Sequence, residues 1–331
     1  MTQTSPPLIS VVVPLYDKAE FAERLVGSLL AQTLTDFEVV IVDDGSHDDG
    51  ADRIARMTRE DARFVVHRRD NGGVSSARNE AISLCRGEWV AFLDADDAWN
   101  PEYLAVVADA ARRWPRAAMI STAHETRTPS QPVTDNRGLL PEDRPIDARG
   151  FFEAWLRAGE RPVFIGATSI RRECLRKCGG FLPGMNLGEE LLTFIRVLEH
   201  GQLLFIDRVL ATYHLSEAGS LATSPSPNAV RMHTHLIDEL IAQVRRERCP
   251  VQVLAMQADI HVYHQMQHGM RAGMWHSIWR IPVRWPVRVL AMAVLETVGL
   301  RAPLKRWFGR GRRQAAAIDV SDVAVAGSRR R

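Results

Sequence analysis

Short apolar runs alternate with amphipathic segments along the first hundred residues of the chain. The apolar runs are Ile9–Val13, Phe37–Val42, Phe64–His67 and Trp89–Leu93, and intervening segments such as Phe21–Ala31 repeat apolar residues at helical spacing. An uninterrupted apolar run is typical of a strand buried on both faces, and the helical spacing predicts an amphipathic helix. The alternation predicts an α/β fold with a doubly wound, mainly parallel sheet and ligand sites at the carboxyl ends of its strands.

The pattern changes after a fifth short strand predicted at Ala118–Ser121. Residues Thr122–Asp147 are polar and rich in Pro, Thr, Asp and Arg, which predicts a long surface loop. Two more short strands are predicted at Leu203–Ile206 and Leu210–His214, and beyond about Asn228 only amphipathic helical patterns remain. These changes predict an N-terminal tail at 1–7, an α/β domain at 8–225, a helical region at 226–313 and a disordered tail at 314–331.

The composition indicates a globular protein whose charge is unevenly distributed. Its 331 residues are 46% hydrophobic, which supplies a core and argues against a disordered chain. The formal net charge is only +2, yet the segment from Arg271 to Arg313 contains ten Lys and Arg residues and a single acidic residue, Glu296. This basic C-terminal region favours an anionic membrane surface as a partner, and it favours that surface over nucleic acid.

The cysteine content and the hydropathy of the chain indicate its cellular compartment. The four cysteines have no second Cys or His pair at zinc spacing, so they are interpreted as reduced thiols of a cytosolic protein. The first seven residues lack an apolar signal core, and no apolar run approaches the roughly 18 residues of a transmembrane helix. We therefore expect a cytoplasmic protein that lies peripherally on the inner face of the cell membrane.

Three carboxylates within four positions follow the fourth strand: Asp94, Asp96 and Asp97. Clustered carboxylates repel one another unless a positive charge compensates them, and hard divalent cations take oxygen ligands and bridge to substrate phosphates. A helix cap is needed only near Asn100 and Pro101, so capping does not account for Asp94 and Asp96. The segment predicts a phosphate-bearing substrate held through a metal.

Two further motifs are candidates for nucleotide binding, each with a structural alternative. Asp44 ends the second strand, where it either accepts a hydrogen bond from the N–H of a ring such as uracil or caps a helix. Gly72 and Gly73 form a turn that leads into a helix, whose N-terminal N–H groups attract phosphate. Arg78 lies one turn into that helix, within range of a diphosphate or a base.

The later part of the chain offers a candidate base and a candidate ligand. Gly188 precedes Glu189 and Glu190, which either complement a helix dipole or include a general base. Adjacent helical residues point in different directions, so only one of the two glutamates faces a site. His214 ends a strand and is either a metal ligand or simply packed.

Taken together, these motifs resemble family 2 glycosyltransferases, whose Rossmann-like fold is called GT-A. The resemblance covers about residues 8–220 and implies a GT-A domain followed by the helical region. The matching pieces come in the family's order: Val11–Asp17, Ala31–Thr33, Phe37–Ser46, Asn71–Gly73, Ala77–Asn79, Gly87–Trp89, Asp94–Asp97, Gly180–Phe181 and Gly188–Glu190.

The resemblance implies an inverting enzyme that moves a sugar from a nucleotide-diphosphate donor to a hydroxyl of a glycan or lipid-linked acceptor, as in bacterial surface polysaccharide synthesis. The expected cofactor is Mn²⁺ or Mg²⁺, held by Asp94, Asp96 and the candidate His214. Glu190 is the expected base and follows Glu189, although the family usually has Asp there. The expected donor-binding residues are Pro14, Tyr16, Asp44, Gly73, Arg78, Asp94 and Ala95.

Two alternatives from other classes stay open at this point. A nucleotidyltransferase also uses strand-end carboxylates and a metal, but it normally has a Gly-rich loop with Arg or Lys after the first strand. Here Leu15, Tyr16 and Asp17 follow that strand, and Asp17 stands where the family usually has Asn. The second alternative is a catalytically inactive, membrane-associated relative, with Glu190 as the altered residue.

Overall fold

The computed structural model describes residues 6–215, except 131, 143, 159–160 and 186–187, and residues 235–249, except 237, 244 and 247. The predicted basic region from Arg271 onward and the predicted tail at 314–331 lie outside the described residues. Among the described helices, none is long and apolar enough to cross a membrane.

The described part folds around one sheet flanked by helices. The strands are β1 Ile9–Leu15, β2 Phe37–Asp43, β3 Phe64–Arg68, β4 Trp89–Phe92, β5 Ala98–Trp99, β6 Ala117–Arg127, β7 Thr134–Asp135, β8 Thr168–Arg171 and β9 Gln202–His214. The helices are α1 Ala22–Leu30, α2 Gly50–Thr58, α3 Val74–Leu84, α4 Tyr103–Arg113, α5 Ala148–Ala158, α6 Arg172–Cys178 and α7 Glu189–Val197, with 3-10 turns at Ala19–Phe21 and Ile165–Ala167.

The strand order confirms the predicted doubly wound, mainly parallel sheet. The order is β3-β2-β1-β4-β8-β6-β9-β5, and β7 pairs with β6. β1, β2, β3 and β4 pair in parallel, as do β6 and β9, whereas β5, β7 and β8 run antiparallel to their neighbours. From β1 the chain continues to β2 and β3 on one side of β1, and it then returns to form β4 on the other side. A topological switch point therefore lies between β1 and β4.

The central strands are buried on both faces, which explains their continuous apolar sequence. In β1, Val12 packs into one core, while Val11 and Val13 pack into the core on the opposite face. α1 and α4 cover one face with residues such as Leu25 and Leu104. The opposite face is covered by α3, α5, α6 and α7. Burial of both faces by helices is what a parallel sheet requires.

Two predicted boundaries are wrong. The segment predicted as a loop from Thr122 continues as strand to Arg127, because β6 pairs in parallel with β9 over that length. The two short strands predicted at Leu203–Ile206 and Leu210–His214 are one strand, β9, whose pairing with β6 shifts register at Ala123. β-Bulges let a strand continue past a local irregularity that breaks its sequence pattern.

Helical residues near the end of the described part pack against α7. Leu236 and Leu240 are buried in the same core as α7. Arg196 on α7 donates to Glu239 at 3.2 Å. This contact helps to fix the helix that begins with Glu189 and Glu190.

Candidate active site

The candidate residues lie at one edge of the sheet, where the parallel strands β1, β2 and β4 end. Tyr16 follows β1, Asp44 follows β2, and Asp94 lies just beyond β4. The Asp44 N–H donates to the Leu15 carbonyl at 2.8 Å, which holds the ends of β1 and β2 together. Because this edge includes the switch point between β1 and β4, the loops diverge there and leave room for a ligand.

The Asp44 carboxylate holds the glycine turn that precedes α3. Its oxygens accept hydrogen bonds from the N–H groups of Gly72 at 3.0 Å and Gly73 at 2.7 Å, and Arg69 Nε lies 3.3 Å away. Gly73 has a φ of 85°, a conformation that favours glycine. Asp44 therefore shapes the turn at the start of α3, and its predicted contact with a nucleotide base stays a prediction.

The loop after β1 is shaped by Asp17. This residue has a φ of 48°, and its carboxylate accepts the His47 N–H at 2.6 Å. Asp shares with Asn a tolerance of left-handed backbone, so Asp17 fills the position where the family usually has Asn. Beside it, Tyr16 is 43% exposed, and its ring meets the His47 ring edge-on with centroids 6.1 Å apart. Pro14 is half-buried near the end of β1.

Arg78 joins the end of β4 to the start of α7. Its guanidinium donates to Glu189 at 2.6 Å and to Asp94 at 2.8 Å, and only 3% of the side chain is exposed. Burial alone would lower the pKa of Arg78, but the charges of Asp94 and Glu189 outweigh burial and raise it above its usual value. A buried cation of this kind persists because its anions are held against it.

The two adjacent glutamates of α7 have different surroundings. Glu189 is buried against Arg78, and burial followed by the charge of Glu190 raises the pKa of Glu189. The Glu190 side chain is 14% exposed and forms an ion pair with Arg161. Burial alone would raise the pKa of Glu190, but the charge and hydrogen bond of Arg161 outweigh burial and lower it. Glu190 is therefore the more accessible and ionised carboxylate of the two.

Cations from the β1 side compensate the acidic turn after β4. Lys18 Nζ lies 2.6 Å from the Asp96 carboxylate, and Arg24 donates to the Asp96 carbonyl. The side chains of Asp94 and Asp96 remain 26% and 30% exposed, while Ala95 between them is buried. Both carboxylates thus stay open to a ligand.

Asp97 ties the acidic turn to the end of β9. Its carboxylate is 1% exposed and accepts the His214 N–H at 2.9 Å. Burial, followed by the charges of Asp94 and Asp96, raises the pKa of Asp97 well above its usual value. The His214 Nδ1 is buried without a hydrogen-bond partner in the described part of the chain, and burial lowers the pKa of His214. The backbone of His214 is therefore tied to the acidic turn, and burial favours the neutral form of its imidazole.

The donor chemistry of this turn fits a hard divalent cation. Within the described ranges, no group of three His, Cys, Asp or Glu side chains is already arranged to hold a metal ion. Asp94 and Asp96 nevertheless offer two partly exposed carboxylates, and such cations are often bound by one or two carboxylates plus substrate phosphates. The residues present fit a metal that a phosphate-bearing substrate helps to coordinate.

Sequence reasoning missed three cations that the structure brings to the site. Lys18 and Arg24 contact Asp96, and Arg161 contacts Glu190. The signal for them is general: an acidic cluster needs compensating charge. The sequence does not say which basic residues supply it, because Lys18 and Arg161 are distant in sequence from the carboxylates they pair with.

The family model described as "Glycosyl transferase family 2" matches residues 10–175, half of the chain. The chain belongs to glycosyltransferase family 2. This confirms the resemblance carried by its motifs and places the chain in a family of glycosyltransferases. The nucleotidyltransferase alternative gains no support.

The family 2 chain is similar to several curated glycosyltransferases over part of their length. It is 43% identical over 91 residues to the uncharacterized glycosyltransferase EpsJ of Bacillus subtilis, covering 28% of this chain and 26% of EpsJ. It is 39% identical over 99 residues to the putative teichuronic acid biosynthesis glycosyltransferase TuaG of Bacillus subtilis, covering 30% of this chain and 39% of TuaG. It is 31% identical over 136 residues to chondroitin synthase of Pasteurella multocida, covering 41% of this chain and 14% of the synthase. The match thus covers less than half of each relative.

Solved glycosyltransferase structures share the fold. S. aureus TarS 1–349 in complex with UDP-GlcNAc has a TM-score of 0.64 at 16% identity, covering 82% of this chain and 79% of TarS 1–349. The mannosyltransferase PcManGT from Pyrobaculum calidifontis, in complex with GDP-Man and Mn²⁺, has a TM-score of 0.55 at 20% identity, covering 95% and 87%. These likenesses concern the fold, and they confirm the predicted GT-A architecture.

Proposed function

We propose that this glycosyltransferase is an inverting, metal-assisted enzyme that moves a sugar from a nucleotide-diphosphate donor to a hydroxyl of a glycan or lipid-linked acceptor. The observation that supports this most is the bridge formed by Arg78 between Asp94 and Glu189. The bridge holds Asp94, a carboxylate suited to a cation that also binds a diphosphate, close to the start of α7. Glu190 in that first turn is an ionised carboxylate suited to accept a proton. A single displacement needs both functions and no enzymatic nucleophile.

The donor is assigned to the edge formed by the ends of β1, β2 and β4. The exposed Tyr16 ring offers a face for a nucleotide base, and the helix start after Gly73 attracts phosphate. The similar folds of TarS with UDP-GlcNAc and PcManGT with GDP-Man support a sugar nucleotide as the donor. The residues proposed to contact it are Pro14, Tyr16, Asp44, Gly73, Arg78, Asp94 and Ala95.

Glu190 is proposed to take the acceptor's proton. The acceptor oxygen forms a bond to the anomeric carbon from the face opposite the diphosphate, and the bond to the leaving phosphate oxygen breaks. The hydroxyl proton passes to the Glu190 carboxylate, which Arg161 keeps ionised beforehand. The Arg78–Glu189 contact meanwhile holds the first turn of α7 against Asp94. A divalent cation held by Asp94, Asp96 and His214 would neutralise charge on the leaving diphosphate.

Replacing Asp96 with Asn is expected to weaken Mn²⁺-dependent donor binding by about tenfold, or about 1.4 kcal/mol, because one of two carboxylate ligands is lost. The exposed Lys18 pair that is lost with it contributes little to stability. The measurement is a thermal-shift titration with a panel that includes UDP-GlcNAc and GDP-mannose, in Mn²⁺ and in EDTA. A donor that stabilises the wild-type protein in Mn²⁺ and not in EDTA supports the proposal.

The matched control for this titration is Asp109→Asn, which removes an exposed carboxylate paired with Arg113 on α4. We expect its donor titration to equal that of the wild-type protein. Equal stabilisation by the donor in EDTA and Mn²⁺, or an Asp96→Asn titration identical to the control, would contradict metal binding at this turn.

We further propose that the enzyme is cytoplasmic, peripheral on the inner face of the membrane, and active in surface polysaccharide synthesis. The names of TuaG and chondroitin synthase support the polysaccharide assignment. The membrane assignment rests on the basic region from Arg271, which lies outside the described residues and carries Trp275, Trp279, Trp285 and Trp307 among its arginines. Trp at the boundary and Arg toward headgroups are typical of interfacial elements.

The full chain is expected to float with vesicles that contain anionic lipid at low salt and to be released as salt is raised. Each basic residue near such a surface adds about 1 kcal/mol, which salt screens. A protein ending at Met270 is expected to stay with the soluble fraction, and neutral vesicles serve as the lipid control. Equal partitioning of the two proteins would show that this region does not bind membranes.

A further inference from the structure

Arg161 lies in the segment between α5 and the 3-10 turn Ile165–Ala167. Its guanidinium pairs with Glu190, and 46% of its side chain is exposed. Arg161 is separated from Glu190 by 29 positions, so the pair joins two distant parts of the chain. An exposed arginine usually gains little from such a pair, and its contribution depends on how firmly the arginine is placed.

Asn136 fixes the backbone beside Arg161. Its side-chain oxygen accepts the His124 N–H of β6 at 2.7 Å, and its amide donates to the Pro162 carbonyl at 2.9 Å. Asn136 is 7% exposed, so both hydrogen bonds are protected from water. One buried side chain thus ties the loop after β7, the strand β6 and the residue next to Arg161 together.

An aromatic row continues this side of the site toward the acidic turn. The Phe164 ring lies 5.1 Å from His124 and 4.7 Å from Tyr213, measured between centroids. Tyr213 immediately precedes His214, whose N–H is bonded to Asp97. Arg161 therefore directly precedes a stretch that is held by Asn136 at Pro162 and by the aromatic row at Phe164.

We propose that Arg161 is a positioning residue that holds the Glu190 carboxylate in place for proton transfer, and that Asn136 fixes Arg161. The inference rests on the proposed function of Glu190 as the base. It gives a role to the loop after β7, whose buried residue Asn136 sets the geometry of the site without touching the reacting atoms.

The charges around Glu190 come from several elements. Arg161 faces it from the segment after α5, Arg78 from α3, and Glu189 from its own helix. Tyr213 of β9 faces Arg161, and burial raises the pKa of Tyr213 to about 12, so it is neutral at pH 7. Burial followed by the charge of Arg161 lowers the pKa of His124 to about 4, so it is neutral as well. Arg161 is then the main cation acting on Glu190.

Removal of Arg161 is expected to raise the pKa of Glu190. Arg161 favours the ionised form of Glu190 and lowers its pKa, so its removal raises that pKa. Arg161→Gln is expected to move the Glu190 titration upward by about one pH unit or more, in the range of a lost neighbouring charge. Arg161→Lys keeps the positive charge, so the pKa of Glu190 in this variant is expected to stay close to its low wild-type value.

The test is a ¹³C NMR titration of the glutamate carboxyl carbons in the full chain, with Glu190→Gln used to assign the Glu190 signal. Arg208→Gln is the matched control, since it removes an arginine of similar exposure, paired with Glu102, on another part of the surface. Asn136→Ala is expected to shift the Glu190 signal in the same direction as Arg161→Gln, and by less. This titration needs no donor and gives a result for any folded variant.

A Glu190 titration in Arg161→Gln that equals the Arg208→Gln control would overturn the proposal. Release of nucleoside diphosphate from the donor found in the thermal-shift panel separates this failure from failure of the proposed function. If Glu190→Gln keeps full turnover, the base is misassigned. If Glu190→Gln is inactive while Arg161→Gln matches the control in kcat, KM and pH profile, the base stands and Arg161 has no positioning role.

Discussion

Glu190→Gln is expected to lower kcat by about 10²-fold or more, because the acceptor hydroxyl loses the group that takes its proton. Donor binding is expected to persist, since the donor contacts are assigned to the ends of β1, β2 and β4. The fold should also persist, because the Glu190 side chain is partly exposed and its pair with Arg161 is at the surface. The measurements are kcat with saturating donor and the donor affinity from thermal shift.

The control for this result is the neighbouring glutamate. Glu189→Gln keeps the shape of the buried side chain but weakens the charge pair with Arg78, so we expect lower stability and a smaller loss of kcat per folded molecule. A folded Glu189→Gln protein without activity, together with an active Glu190→Gln protein, would mean that the roles of the two glutamates are reversed.

Arg78→Met is expected to lower the free energy of unfolding by about 3 kcal/mol or more. The substitution keeps an apolar stem of similar length but leaves Glu189 buried, and Asp94 close by, without their shared cation. Breaking a buried ion pair by removing one partner typically costs about 3–5 kcal/mol, because an uncompensated charge stays in a poorly solvated place. Urea unfolding followed by circular dichroism and Trp fluorescence measures the change.

Arg208→Met is the matched control for Arg78→Met, since it removes an exposed pair with Glu102 and should change stability by less than about 1 kcal/mol. Adding Glu189→Met to Arg78→Met removes the buried anion and should recover part of the loss. An Arg78→Met protein as stable as the Arg208→Met control would show that the bridge is not a stabilising element of this site.

The central strands could be predicted from the sequence because burial on both faces makes them largely apolar, with buried polar exceptions such as Ser10 in β1 and Glu38 in β2. Val11, Val12 and Val13 alternate between the two cores, so the run carries no polar interruption. β6 beyond Thr122 could not be predicted in the same way. His124 and Glu125 sit in strand because β9 pairs with them, and this pairing is a property of the tertiary fold rather than of local sequence.

The acidic side of the site and Arg78 could be predicted from the sequence, whereas Lys18, Arg24 and Arg161 could not. Asp94 and Asp96 come directly after an apolar strand in the sequence. Ligand sites of parallel sheets lie at the carboxyl ends of the strands, so these two residues were expected in the site. The partners Arg78, Lys18 and Arg161 approach from α3, the loop after β1 and the segment after α5. A single sequence contains no signal for which arginine meets which carboxylate across such distances.

For the two adjacent glutamates, the sequence and the structure provide different information. Helical spacing shows that Glu189 and Glu190 point in different directions, but it does not say which one faces the site. The structure separates them by partner, since Glu189 meets the buried Arg78 and Glu190 meets the half-exposed Arg161. The partner decides which carboxylate is accessible and ionised.

The most direct test of the account is the release of free nucleoside diphosphate from the donor selected by thermal shift. The assay compares the wild-type protein with Glu190→Gln, each in Mn²⁺ and in EDTA, with water or an added glycan as the acceptor of the sugar. We expect release by the wild-type protein in Mn²⁺, loss of that release in EDTA, and a decrease of about 10²-fold or more in Glu190→Gln. Release at the wild-type rate by Glu190→Gln, or no release by the wild-type protein from any donor that binds it, would contradict the account.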